Sequence, residues 1–184
     1  MKEIVLTGKE ELFETKKIVI MSLLAAISII LTRFFSFMIG ETIRISFGYI
    51  PIMISGIFFG PIGGALTGIV SDLVGITIRL DGGFFPGFIL SYALVGAIPG
   101  AIFSFKQNSQ LLFKILVSVI SVEIIVSLLL NTYWLNLMYG AGFWATLPTR
   151  VIARLIIGPI EVFVLYYLFS HQSFNDLFES ITSN

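Results

Sequence analysis

Arginines and flat aromatic rings are the groups in this chain whose placement suggests chemistry. Lys2, Lys9, Lys16, Lys17, Lys106 and Lys114 fall at the N-terminus or beside one later break between apolar runs. Arg33, Arg44, Arg79, Arg150 and Arg154 fall at or near the opposite ends of those runs. Topology alone gathers cations on the cytoplasmic face, so an arginine-rich outer half needs a second cause. A guanidinium is a planar fork that meets a carboxylate through two parallel hydrogen bonds, which an ammonium cannot do. The arginines therefore suggest capture of a carboxylate-bearing anion. The competing account is that they snorkel to lipid headgroups. It fits Arg44 and Arg79 better than Arg33 and Arg154, which lie further inside their helices.

The segment 131–144 reads NTYWLNLMYGAGFW and holds both tryptophans. Aromatic faces stack on a flat heterocycle, and asparagine amides offer a donor and an acceptor to its polar edge. An interfacial aromatic belt would explain the rings, but belt amphipathicity does not require Asn131 beside Trp134. The run Gly82-Gly83-Phe84-Phe85-Pro86 forms a second outer loop with glycine hinges, a candidate lid. Carboxylates also fall inside apolar stretches, at Asp72, Glu123 and Glu161. Each lies about 16–20 Å deep along its helix at 1.5 Å per residue, where an unpaired ion costs at least about 2.5–3.5 kcal/mol. They must face the bundle interior and be paired, protonated or hydrated. Pairing of Asp72 with an arginine, which would orient that guanidinium, is the favoured arrangement.

These groups need elements to hold them. The 184 residues are 57% apolar and 12% charged, with a mean hydropathy of +0.99, against about 25% charged in an ordinary soluble domain. The chain is an integral membrane protein. Spans of about 20 residues are predicted at 18–38, 86–105, 111–130 running on toward 138, and 148–169, with Pro148 in a first turn. The stretch 47–78 is too long for one span and breaks at Gly60-Pro61-Ile62-Gly63-Gly64, giving helices over 49–59 and 61–78. The expected fold is all-α: a compact bundle of six transmembrane helices forming one domain over 1–184, with both termini cytoplasmic. Were 47–78 one kinked helix, the count would be five and the ends would lie on opposite sides.

Residues 1–16 read as a cytoplasmic leader rather than a cleavable signal, because of Glu3, Glu10, Glu11 and Glu14. Thr7 with Glu10 fits a capping box. Residues 171–184 read as a cytoplasmic tail, with Phe174, Leu177, Phe178 and Ile181 at helical spacing for the membrane interface. Gly56, Gly60, Gly64, Gly68, Gly96 and Gly100 recur every four residues, a spacing that lets helices approach closely. Ser22 and Ala26, with Ala25 beside them, give the first helix a smooth face for a partner subunit.

Several classes are excluded or disfavoured. The charge balance of 11 basic and 11 acidic residues offers no excess to neutralise nucleic-acid phosphates. There is no cysteine, and His171 is the lone histidine, so no metal centre or cofactor is expected. No P-loop motif is present, so ATP is not bound that way. No residues are assigned as catalytic.

Gly48-Tyr49-Ile50-Pro51-Ile52, Phe59-Gly60-Pro61, Gly63-Gly64, Gly68 and Asp72 resemble the second and third helices of substrate-binding subunits of energy-coupling factor (ECF) vitamin transporters. Asn131-Thr132-Tyr133-Trp134, Leu147-Pro148-Thr149-Arg150 and Pro159-Ile160-Glu161 resemble the folate-specific branch. The resemblance implies six helices with both ends cytoplasmic and a pocket open to the outside. It also implies a transmembrane coupling subunit and two ATPase subunits as partners. It implies an Ala-x-x-x-Ala docking contact on the first helix, for which Ser22-x-x-x-Ala26 is the nearest match. Folate combines a flat pterin, an aromatic linker and a glutamate with two carboxylates. The expected ligand set is then Tyr49, Asn131, Tyr133 and Trp134 on the rings, and Phe84 or Trp144 closing over them. Arg33, Arg150 and Arg154 would take the carboxylates, with Asp72 orienting an arginine. Pantothenate or biotin would suit the same class of protein. A small intramembrane enzyme using Asp72, Glu123 and Glu161, or a self-sufficient proton-coupled transporter, are rival classes.

Overall fold

The computed structural model describes residues 14–39, 43–79, 84–105, 110–140, 142–172, 174 and 176, without the side chains of 37–39 and 43–45. In chain order these form α1 (Thr15–Arg33), β1 (Phe37–Ile39), β2 (Ile43–Ile45), α2 (Tyr49–Ile78) and α3 (Gly87–Phe105). Next come α4 (Leu111–Ser121), a π-helical segment (Val122–Leu130), α5 (Asn131–Tyr139) and α6 (Phe143–Ser170). The run Leu111–Tyr139 is continuous. Among the described residues five helices are long and apolar enough to cross a membrane. Their outward side chains are apolar: Leu23, Leu155 and Phe163 are all more than half exposed. Water would penalise that surface, and hydrocarbon does not.

The second stretch is doubled back on itself. Ser55 Oγ and Thr67 Oγ1 lie 2.7 Å apart, although twelve residues of straight helix would separate them by about 18 Å. The reversal is at Gly60, with φ 75° and ψ −177°, a region open essentially to glycine alone. Pro61 follows without an N–H to satisfy. The two arms of α2 close together and pack on α3. At their crossing a Cβ on Gly96 would run into the backbone of Gly64. Small residues thus bring three helical segments into backbone contact, where dispersion rather than water expulsion drives packing. The inner polar residues bond within the bundle: Thr67 Oγ1 donates to the Gly63 carbonyl at 2.9 Å, and Ser28 Oγ to the Gly48 carbonyl at 2.7 Å.

Some boundaries differ from expectation. The first helix ends at Arg33 rather than 38, because 37–39 pair antiparallel with 43–45, Met38 opposite Arg44. Aromatic and β-branched residues suit that ladder, which supplies backbone partners a frayed helix end would lack. The last helix begins at Phe143, so Pro148 sits inside it rather than in its first turn. Phe174 turns inward, 5.8 Å from the Phe58 ring and 5.6 Å from Phe169, instead of lying along the membrane. The capping box at Thr7 and Glu10, the tail residues Leu177, Phe178 and Ile181, and the hinge Gly82-Gly83 lie outside the described residues.

Apart from the adjoining residues and the helix's own backbone, no atom lies within 4 Å of a Cβ built on Gly60 or on Gly158, and Gly158 has helical dihedrals. Gly60→Ala is expected to cost about 1–3 kcal/mol through backbone strain alone. Gly158→Ala should cost less than Gly60→Ala, since its helical dihedrals need no glycine and the remaining penalty is the contact of the new Cβ with the Pro159 ring. Thermal unfolding of both variants in detergent checks the contrast.

Candidate ligand-binding site

The polar interior is built around Tyr49, the first residue of α2. Its ring is 9% exposed. Its hydroxyl accepts a hydrogen bond from Asn131 Nδ2 at 3.0 Å. The Tyr92 ring stands perpendicular to it at 5.6 Å, and the Arg154 guanidinium lies over it at 5.5 Å, a cation–π contact. One residue from each of α2, α3, α5 and α6 therefore converges here. The Asn131 amide keeps its Oδ1 buried without a donor, as do the hydroxyls of Ser127 and Thr132. Buried polar atoms left open in this way are expensive, and a ligand that supplies partners recovers the cost.

The π-helical segment explains how those groups share a face. Buried pairs recur at 118 and 119, 122 and 123, 126 and 127, 131 and 132. In an α-helix a four-residue repeat drifts about 40° per step. The wider i→i+5 coil turns more slowly and cancels that drift. Ser118, Glu123, Ser127 and Asn131 thereby stay inward over more than three turns.

Charge enters from α6. Arg154 Nη1 donates to Glu123 Oε1 at 3.2 Å, and Arg150 Nη1 to the Ser127 carbonyl at 3.0 Å. Glu161, two turns beyond Arg154, is fully buried, and neither of its oxygens has a donor. The Arg154–Glu123 pair also lines an apolar cleft of about 470 Å³ between α4 and α6, whose other walls include Ile120, Ile124 and Leu155. Those walls suit hydrocarbon, not a polar ligand. The Tyr49 side of the pair is the side with hydrogen-bonding capacity.

An aromatic wall continues outward. Trp134 Nε1 donates to Ser91 Oγ at 3.1 Å, and the Phe85 ring lies 5.4 Å from the indole. Phe85 makes this contact, whereas Phe84, expected as a closing ring, is 54% exposed and Trp144 is 80% exposed against Phe143. Neither Phe84 nor Trp144 reaches the cluster, because each falls on an outward position of its segment. Tyr133 touches Trp134 at 5.1 Å but is half exposed.

A second polar set joins α1 to the outer arm of α2. Arg33 Nη2 lies 3.8 Å from Asp72 Oδ1, both side chains buried. Arg79 Nη1 donates to the Arg33 carbonyl at 2.9 Å, which closes an open end of α1. Arg33 and Asp72 thus act on each other, and Arg79 is engaged with protein rather than headgroups. The Arg44 side chain lies outside the described part. On α1, Ser22 and Ala26 are exposed, whereas Ala25 is 1% exposed and offers no surface to a partner.

Sequence reasoning missed Ser91 and Tyr92, and within the outer loop it named Phe84 rather than Phe85 as the closing ring. Serine and aromatic residues are common in apolar helices, and nothing in their spacing singles them out. The slow repeat through Ser118, Glu123, Ser127 and Asn131 is a signal that was there to be read.

The family of ECF transporter substrate-specific components matches residues 16–169. A folate transporter, FolT, of Clostridium novyi (strain NT) is 35% identical over 146 residues, covering 79% of this chain and 83% of its own. A FolT of Leuconostoc mesenteroides subsp. mesenteroides is 29% identical over 165 residues, covering 86% and 87%. The crystal structure of FolT bound with folic acid superposes with a TM-score of 0.71 at 32% identity, over 84% of this chain and 93% of that one. An S component of a bacterial ECF transporter, at 21% identity and a TM-score of 0.59, shares the fold.

Removing one partner of a buried ion pair costs about 3–5 kcal/mol, whereas replacing both by apolar groups is often neutral. Arg33→Met is therefore expected to lower the unfolding temperature strongly, and Arg33→Met with Asp72→Leu to recover most of the loss. Thermal melts of the two proteins in one detergent make the comparison.

Proposed function

The chain belongs to the substrate-specific components of ECF transporters, and from that premise we propose that it is the folate-binding subunit of such an importer. It is a multi-pass membrane protein of a transporter family, not an enzyme. The observation that carries the folate reading is the convergence on Tyr49. An amide with a free acceptor, an aromatic pair and a guanidinium meet there in a dry interior. A pterin needs flat faces and edge hydrogen bonds, and its glutamate needs cations. The likeness to FolT, including the protein crystallised with folic acid, supports the same ligand.

In this reading Tyr49, Asn131 and Trp134 hold the ring system, and Tyr133 shields it from the outer side. Arg154 and Arg150 take the two carboxylates. Arg33, oriented and charge-balanced by Asp72, takes part with them by hydrogen bonding rather than by net charge. The two arms of α2 count as separate spans, which makes six and leaves both termini cytoplasmic, on the lysine-rich side. The exposed Ser22 and Ala26 dock a transmembrane coupling subunit, and two ATPase subunits supply the hydrolysis for which this chain has no P-loop.

Binding of folic acid to the purified protein tests the ligand, against pantothenate and biotin as competitors. Retention of either of those in place of folate defeats the choice. Trp134→Ala is expected to weaken folate binding at least tenfold, since stacking is worth about 1–3 kcal/mol per ring. Arg150→Ala should weaken it more, since a buried charge-assisted contact is worth about 2–5 kcal/mol. Unchanged affinity in both removes the pocket assignment. In liposomes the chain alone should bind folate without accumulating it, and uptake should require the ATPase module.

A further inference from the structure

Trp134 is held by α3 at two points one turn apart, and the role drawn from them rests on the reading that its ring stacks on the pterin. Ser91 is fully buried, and its Oγ accepts the indole N–H at 3.1 Å. An indole nitrogen only donates, so this contact fixes which edge of the ring faces α3. Gly87, four residues earlier and on the same side of the helix, stands against the ring itself. A Cβ built there would come to 2.6 Å from Trp134 Cδ2 and 2.7 Å from Cε2. Those two atoms form the bond shared by the two rings, so an atom nearest to both stands over the flat face and not beside an edge. The backbone of Gly87 therefore covers one face of the indole. Phe85 closes the same end: a Cβ on Gly87 would also meet its Cε1 at 2.6 Å, and its ring is tilted 41° to the indole. The Phe85 carbonyl accepts from the Phe88 N–H at 3.1 Å in the turn that starts α3, which ties Phe85 to the helix.

One face and one edge of the ring are thus taken by the protein, while Trp134 as a whole stays partly exposed. Asn131, one turn earlier on α5, carries the buried Oδ1 without a donor, and Tyr92, next to Ser91, stands against Tyr49. We propose that Gly87 and Ser91 are positioning residues for ligand recognition. Together they clamp the Trp134 indole in one plane and leave its opposite face as the stacking surface for a flat bicyclic ring, beside the Asn131 amide. Gly87 acts by lacking a side chain, which lets the indole lie against the helix backbone. Ser91 acts through its oxygen, which stops the indole from turning about its Cβ–Cγ bond. An indole free to turn would have to be ordered by the ligand itself, at a cost in affinity that the clamp removes. Neither residue touches the ligand in this role.

Calorimetric titration of the full chain in detergent with folic acid tests this, with Trp144→Phe as the reference so that Trp134 is the sole tryptophan. Gly87→Ala pushes the indole off the helix. It is expected to weaken binding at least about tenfold, as far as Trp134→Ala does. In the ligand-free protein it should also shift the indole emission to longer wavelength and increase its quenching by acrylamide. Ser91→Ala keeps the shape and removes only the acceptor. It should weaken binding about two- to tenfold with the same spectral direction, and it serves should Gly87→Ala fail to fold. Gly87→Ala combined with Trp134→Ala separates positioning from general damage: once the ring is gone, the glycine substitution should cost no further affinity. An additive loss in that double variant, or unchanged affinity in either folded single variant while Trp134→Ala weakens binding, overturns the inference. Unchanged affinity in Trp134→Ala removes the stacking role of the ring instead, and no binding of folic acid by the unaltered protein removes the ligand assignment, so the failures are distinguishable.

Discussion

A guanidinium and a carboxylate meet in this protein inside a bundle whose outer surface faces hydrocarbon. Away from water, charges attract and repel far more strongly, and each carries a desolvation cost that only good partners offset. That constraint governs the placement of the Arg154–Glu123 pair between α6 and the long helix Leu111–Tyr139. The pair has to be shielded from lipid on one side, which the apolar residues of the α4–α6 cleft do. It also has to be met by polar or aromatic groups on the other, which Tyr49 provides. The Arg33–Asp72 pair obeys the same rule at the junction of α1 and α2. Where the pairs sit decides which helices must touch.

The rest of the architecture follows from bringing enough backbone to those positions. The turn at Gly60 returns the chain after one short arm, so the bundle gains a segment that begins at Tyr49 in the polar interior. Backbone contact between Gly64 and Gly96 then fixes the doubled arm against α3, the helix that carries Ser91 and Tyr92. On the other side the π-helical segment keeps Glu123, Ser127 and Asn131 on one face. Either device alone would leave the site with a single wall. Together they set Asn131 against the Tyr49 hydroxyl.

The fold was legible where composition and backbone chemistry are decisive. Apolar runs gave the spans, and Gly60-Pro61 gave the reversal, because one residue there needs a dihedral region closed to side chains. Boundaries were legible only in part. Residues 34–38 are as apolar as the helix before them, and their departure into a strand depends on a partner strand that no local pattern announces. The pairing of Asp72 with an arginine was readable from depth and charge, but not that the arginine would be Arg33. Phe84 and Phe85 are equivalent in type, and only the register of α3 selects Phe85 for contact with Trp134. Tyr92 carries no local signal, since its role comes from the perpendicular contact with Tyr49.

In the proposed reading a site of this kind grips well and lets go poorly, which is the physical reason for proposing an energised partner. The open atoms of Asn131, Ser127 and Thr132 lie in a dry interior, and under the proposed assignment they lose a ligand only by being left bare again. Under the same assignment the arginines lose a ligand carboxylate only by regaining a substitute. For Arg150 that substitute is a backbone carbonyl, a weak acceptor for a full positive charge. For Arg154 it is Glu123, already in place 3.2 Å away. In the proposed reading, release is uphill at Arg150 and closer to balance at Arg154, beside which an internal carboxylate already stands.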